Sequence, residues 1–193
     1  MAYHHGRLRE SLIDAAVTAI EQEGLARLSL RDLARRVGVS HAAPAHHFGD
    51  REGLLTAIAA DGFERLASVL EEAGDDFLEV GVAYVRFATS ERGRFEVMFR
   101  PDLHRRDDPG LTAAMDRAGD VLRSGAAAEP GDDRTNGLAA WSLVHGLATL
   151  WNAGAISIDE GTEVEVVARA VAGVLFGRTA GATGGASPAD PVR

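Results

Sequence analysis

The 193-residue chain contains neither cysteine nor lysine. Without cysteine there are no disulfides and no thiol chemistry, which fits a reducing compartment. All 20 basic residues are arginine, a bias that, with the many Ala and Gly, follows genomic base composition rather than function. Long apolar runs are also missing. No stretch approaches the roughly 20 apolar residues that span a bilayer, and no signal-peptide pattern precedes Arg7. A cytoplasmic protein with no membrane partner is expected. There is no alternating strand pattern, no Gly-rich phosphate loop and no convincing pair of carboxylates on one helix face. An enzyme is therefore not expected, and no cofactor or metal is implied.

Acidic residues exceed basic ones, 29 against 20, for a net charge of −9. The imbalance is local. Residues 1–60 hold seven Arg and seven acids, whereas the remaining 133 hold thirteen Arg and twenty-two acids. A neutral N-terminal part is thus joined to an acidic body. Phosphate contacts dominate nucleic-acid affinity, so a single neutral unit predicts weak binding that a dimer would double.

The apolar spacing is helical throughout, and the fold class is all-α with about nine helices. Helices are predicted over Arg7 to Glu23, from Ser29, from Ser40 to about His47, and from Arg51 to about Glu72. Further helices follow over Asp75 to Ser90, Gly93 to Arg100, Leu111 to about Ala127, Arg134 to Ala153 and Thr162 to Arg178. The division is a reader over residues 1–50 and a body over 51–178. The tail over 179–193 is rich in Gly, Ala and Pro and is expected to be disordered.

Leu28 to Leu55, LSLRDLARRVGVSHAAPAHHFGDREGLL, carries the most specific signal. Leu30, Leu33, Ala34 and Val37 share one helical face. Ser29 is placed to cap that helix, and Asp32 adds charge to its first turn. Gly38 suits the left-handed stop. Ser40 is a second candidate cap, and Pro44 is tolerated only in a first turn. Asp50 caps the helix from Arg51. Two short helices around a tight turn, leading into a third, form the helix-turn-helix pattern of a DNA reader, with helix-turn-helix bounds near 29–48.

With its preceding helix, the Gly24 stop, the GVS turn and the HHFGDREGLL exit, the segment Tyr3 to Phe63 resembles the DNA-binding part of the tetracycline-repressor-like (TetR) family. The resemblance implies that Ser40, His41, Ala42, Ala43, Pro44 and His46 face the major groove or its rim. It places Ser29, Arg31, Arg51 and, from the first helix, Arg7 on phosphates, with Phe48 closing the core. The chain departs from the family at Ala45, where relatives carry an aromatic, usually Tyr. One phosphate contact is missing there.

Two patterns mark the body. Trp141, Ser142, Leu143, Val144, His145 and Gly146 resemble the Trp…His-Gly (WHG) motif of one TetR C-terminal subgroup. Trp141 and His145 stand four apart on one helix face. Either they line an effector pocket, with Phe87, Phe95 and Met98 alongside, or they are packed core with Gly146 admitting a close helix. The last two helices are too apolar for one small body to cover. Leu147, Trp151, Val164, Val167, Val171, Val174 and Leu175 are the expected dimer contacts, in a four-helix interface. A palindromic operator needs two readers about 34 Å apart.

The expected function is a homodimeric repressor, released from double-stranded operator DNA by a small-molecule effector. A DNA-binding activator of the same fold is the alternative. A helical metalloenzyme is the rival class, resting on Asp102, His104, Asp107 and Asp108 in one loop. The adjacent His46 and His47 point to different helix faces and make a poor ligand pair.

Overall fold

The computed structural model describes residues 2–126, 132–156, 159 and 161–176, with side chains over 7–124, 132, 134–156, 159 and 161–173. The described elements are α1 (Ala2–Glu23), a 3₁₀ turn (Leu25–Arg27), α2 (Leu30–Val37), α3 (Ala43–Phe48) and α4 (Arg51–Glu72). After these come α5 (Phe77–Ser90), α6 (Arg92–Met98), α7 (Pro109–Ala126), α8 (Asp133–Asn152) and α9 (Val164–Phe176). The tail over 179–193 lies outside the described residues.

Capping chemistry fixes most helix starts. Ser29 Oγ accepts from the Asp32 N–H at 3.1 Å and donates to the Asp32 carboxylate at 2.8 Å. Asp50, Asp76 and Asp132 accept from Gly53, Leu78 and Thr135 N–H groups at 2.8–3.0 Å. Each of these caps satisfies a donor that the first helical turn leaves open. Gly38 ends α2 in the left-handed region at φ 73°.

The start of α3 differs from expectation in a way that matters for the DNA reader. The helix foreseen from Ser40 begins at Ala43, and Ser40 is not its cap. With Ser40 as cap, Pro44 would fall in the fourth helical position. Its missing N–H would then leave the Ser40 carbonyl unbonded. The chain instead turns through His41 and Ala42: Ala43 N–H bonds Ser40 O at 3.0 Å and His46 N–H bonds Ala42 O at 2.9 Å. Pro44 thereby enters the first turn.

One continuous core runs from Leu12 and Ile20 of α1, through Leu33 and Phe48, to α4 and the body. In α4, Leu54, Leu55, Ile58, Leu66 and Leu70 are almost fully buried. Helix α4 packs on α7, and α5 packs on α8 and α9. Helix α6 bridges α1 and α4. Arg94 is the bridge: it donates to Asp14 of α1 at 2.6 Å, Asp61 of α4 at 2.7 Å and Glu91 at 2.7 Å, with its side chain 6 % exposed.

Candidate DNA-reading face and effector cavity

The turn and α3 present His41, Ala42, Ala45 and His46 to solvent. Ala43 is half-buried. Pro44 is almost fully buried, which removes it from the groove-facing set. The same first-turn placement that makes the proline tolerable turns its ring into the core. Ala45, named above only for the side chain it lacks, lies on the exposed side. Phe48 is 6 % exposed and closes the core, with the Arg9 guanidinium 5.6 Å from its ring centre.

The arginines around this face divide sharply. Arg35 pairs with Asp32 at 2.9 Å, and Arg36 pairs with Glu23. Arg31 is exposed and has no partner among the described residues, as is Arg7. Ser40 is exposed too, whereas the Ser29 hydroxyl is occupied by Asp32. Arg51 departs from its expected role. Its Nε donates to Leu28 O at 3.3 Å and its Nη2 to Leu25 O at 2.8 Å. The 3₁₀ turn leaves those carbonyls near α4, and Arg51 holds the turn onto α4 instead of reaching outward for a phosphate.

The body contains a cavity of about 1500 Å³. Of the five residues expected there, Met98, Trp141 and His145 line it. Phe95 lies behind that wall, its ring 5.1 Å from His145 and 6.3 Å from Tyr84. Phe87 does not belong to the cavity. It is 4 % exposed and lies beside Arg65 and Val69, in a separate groove between α4 and α5. Tyr84, one helical turn earlier, takes that place on the lining. Phe63, Phe99, His104, Arg106 and Arg134 line the cavity as well.

A polar chain sits in this aromatic wall. Trp141 Nε1–H donates to the Tyr84 hydroxyl at 3.3 Å, and the hydroxyl lies 2.9 Å from His145 Nδ1. With the imidazole neutral, the hydroxyl either donates to Nδ1 or accepts from Nδ1–H, according to the tautomer. Burial pushes the Tyr84 phenol up and His145 down, which favours these neutral forms. The Phe99 ring stands edge-on to His145, centres 4.6 Å apart. Gly146, offered above as a site of close helix approach, has nothing within 4 Å of an added Cβ among the described residues.

The loop Phe99–Asp108 touches both parts of the molecule. Pro101, His104 and Arg106 line the cavity. Arg105 faces the reader: its N–H bonds Thr56 Oγ1 at 3.0 Å and its Nη2 bonds Asp50 Oδ1 at 2.8 Å. The Gly53 N–H bonds the same Asp50 oxygen. These bonds hold the Asp50 carboxyl below its usual range, with the Gly53 N–H as the largest cause. His104 is buried, donates Nε2–H to Val97 O at 2.6 Å and is lowered by burial. Asp102 pairs with Arg100, and Asp108 accepts from Leu111 N–H to start α7. Asp102, His104 and Asp108, three of the four loop residues raised as a metal set, thus have separate structural tasks. Among the described residues no three His, Cys, Asp or Glu converge on a metal position. No described helix is long and apolar enough to cross a membrane.

The dimer contacts also need redistribution. Leu147 is 8 % exposed within the chain's own core and cannot serve an interface. Helices α8 and α9 first pack on α5, which draws in Val144, Leu147, Ala148, Ala168 and Ala172. Trp151 is half-buried, and Val164, Val167 and Val171 pack partly on the same core. The side chains of Val174 and Leu175 lie outside the described residues. Leu150, 50 % exposed, and Val166, 56 % exposed, are the outward apolar residues that the periodicity did not single out.

A reader of two short helices, joined by one long helix to an all-α body with a cavity, defines a helix-turn-helix regulator. Two family descriptions match: "Bacterial regulatory proteins, tetR family" over residues 12–58, and "Tetracyclin repressor-like, C-terminal domain" over 77–177. The chain belongs to the TetR family. It is 38 % identical over 72 residues to the HTH-type transcriptional regulator BetI of Stenotrophomonas maltophilia, covering 35 % of this chain and 37 % of that protein. The chain thus matches about a third of that relative's length. An uncharacterized HTH-type transcriptional regulator of Mycobacterium tuberculosis is 27 % identical over 186 residues, covering 91 % of this chain and 85 % of that one. A solved structure of a protein of unknown function from Rhodococcus sp. RHA1 is 34 % identical, with a TM-score of 0.76, covering 91 % of this chain and 97 % of the other.

Proposed function

We propose that the protein is a cytoplasmic, homodimeric repressor that leaves a palindromic operator when a small molecule fills the body. The reader is residues 1–50 and the sensing body 51–178. His41, Ala42, Ala45 and His46 approach base edges, while Ser40, Arg31 and Arg7 approach the rim and phosphates. The outward faces of α8 and α9, with Leu150 and Val166, join two copies.

The observation that carries the sensing role is the two-sided loop Phe99–Asp108. Its Arg106 lines the cavity, while the adjacent Arg105 is bonded to Asp50 at the start of α4. A ligand that moves this loop tilts α4 and changes reader spacing, provided it binds the two states with different affinity.

The test is fluorescence anisotropy with DNA from upstream of the protein's own gene. Two protomers should bind one site, with sequence preference over random DNA. Equal affinity for both DNAs, or one protomer per site, would sink the reading. A promoter–reporter fusion separates the two regulatory signs: deleting the gene should raise expression, whereas an activator would lower it.

A further inference from the structure

Resting on the reading of the cavity as the effector site, we infer that the effector is a lipophilic carboxylate: an apolar or aromatic body carrying one anionic head. The apolar part follows from surface. Five large hydrophobic residues are exposed among the described ones, and three of them, Met115, Leu138 and Trp141, line this cavity at 47 %, 59 % and 38 %. Water contacting such a wall is displaced favourably by an apolar chain or ring, at about 25 cal/mol per Å² covered.

The charge of the head follows from an inversion. The protein carries −9 overall, yet the cavity wall holds three arginines, Arg106, Arg123 and Arg134, and among the described residues no Asp or Glu. Many arginines elsewhere are matched: Arg36, Arg65, Arg94, Arg100, Arg117 and Arg169 have carboxylate partners, whereas Arg7 and Arg31 on the reader have none among the described residues. On the wall only Arg123 has one, Asp120 at 2.5 Å. Arg106 and Arg134 have none among the described residues, so two guanidinium forks are left for a planar anion.

The Trp141–Tyr84–His145 chain adds polar atoms but no negative charge to the lining. A cationic amphiphile would meet the two unpaired guanidiniums of Arg106 and Arg134 and no carboxylate on the described lining. The aromatic wall alone does not offset that. A neutral ligand would gain no charge pairing from these exposed guanidiniums.

The experiment uses the full chain with Trp151→Phe, leaving Trp141 as the only tryptophan. Trp141 fluorescence is titrated with dodecanoate, dodecanol and dodecylammonium, each below its micelle concentration. Dodecanoate should bind at least tenfold more tightly than either partner. The double variant Arg106→Ala/Arg134→Ala should lose that preference, weakening dodecanoate tenfold or more and leaving dodecanol unchanged. Equal melting temperatures of the two proteins establish that the change is local. Equal affinity for all three probes, no binding of any, or an unchanged preference in the double variant would each overturn the inference. Operator binding is followed in parallel. Tight, arginine-dependent dodecanoate binding that leaves DNA affinity untouched would uphold the carboxylate site and overturn the sensing role.

Discussion

Arg51 and Arg31 look alike in sequence: both are near helix starts, one in the reader and one at its edge. Only Arg31 is free to reach DNA. Arg51→Ala removes two bonds to backbone carbonyls and should cost about 1–2 kcal/mol of stability. Its melting temperature should fall, while the salt dependence of DNA binding stays as it was. Arg31→Ala should keep the melting temperature and lower the slope of log K against log salt by about 0.9. Exchanged phenotypes would reverse the assignment. The signal that separates them, two carbonyls presented by a 3₁₀ turn 23–26 residues earlier, is a tertiary fact without periodicity. The histidines give a pH prediction. His104 and His145 are both held below the ordinary value of 6.5 by burial. The unfolded chain therefore takes protons first: their stabilisation is complete above pH 6.5 and lost as pH falls through the lowered folded values. Chemical denaturation at pH 7.5 and pH 5.5 should show a loss that His145→Gln and His104→Gln each reduce. A loss unchanged in both variants would refute this.

At the scale of elements, the helix-turn-helix and α4 were legible because caps, a left-handed Gly38 stop and a helical stripe all agree locally. The start of α3 was legible only in part: Pro44 states where it must sit, but not that Ser40 gives way. Helix α5 was the hardest to read. Its buried face is broad, with Val80, Val82, Ala83, Tyr84, Val85, Phe87 and Ala88 all buried, so no narrow stripe tells Tyr84 from Phe87. Helix α6 hides its task in the same way. Gly93 N–H bonds Glu21 of α1 at 3.0 Å, Arg94 ties α1 to α4, and Met98 lines the cavity. Arg94→Met should cost about 2 kcal/mol. This is below the roughly 3–5 kcal/mol of a fully buried broken pair, because the Asp14 side chain is 62 % exposed and stays hydrated. The variant should also respond less to effector, since α1 no longer follows α6. Full effector release at wild-type concentration would show that this bridge transmits nothing.

For the whole molecule, the neutral reader and acidic body predict that affinity depends on the proposed dimer. Leu150→Asp with Val166→Asp should yield a monomer in sedimentation and weaken operator binding by at least tenfold. A dimer that persists would move the interface elsewhere. The charge split was plain in the sequence; the cationic cavity inside the acidic body was not, because Arg106, Arg123 and Arg134 come from separate elements. Asp50 Oδ1 adds a constraint on how such a protein changes its specificity. One oxygen serves both the first turn of α4 and Arg105 of the cavity loop. Variation in that loop should be felt at the DNA, whereas Met115, Leu122 and Leu138 line the cavity without any bond to Asp50. New effector preferences should therefore accumulate at Met115, Leu122 and Leu138. A library at those three positions should retain operator binding in most members, and one at residues 104–106 should lose it in most.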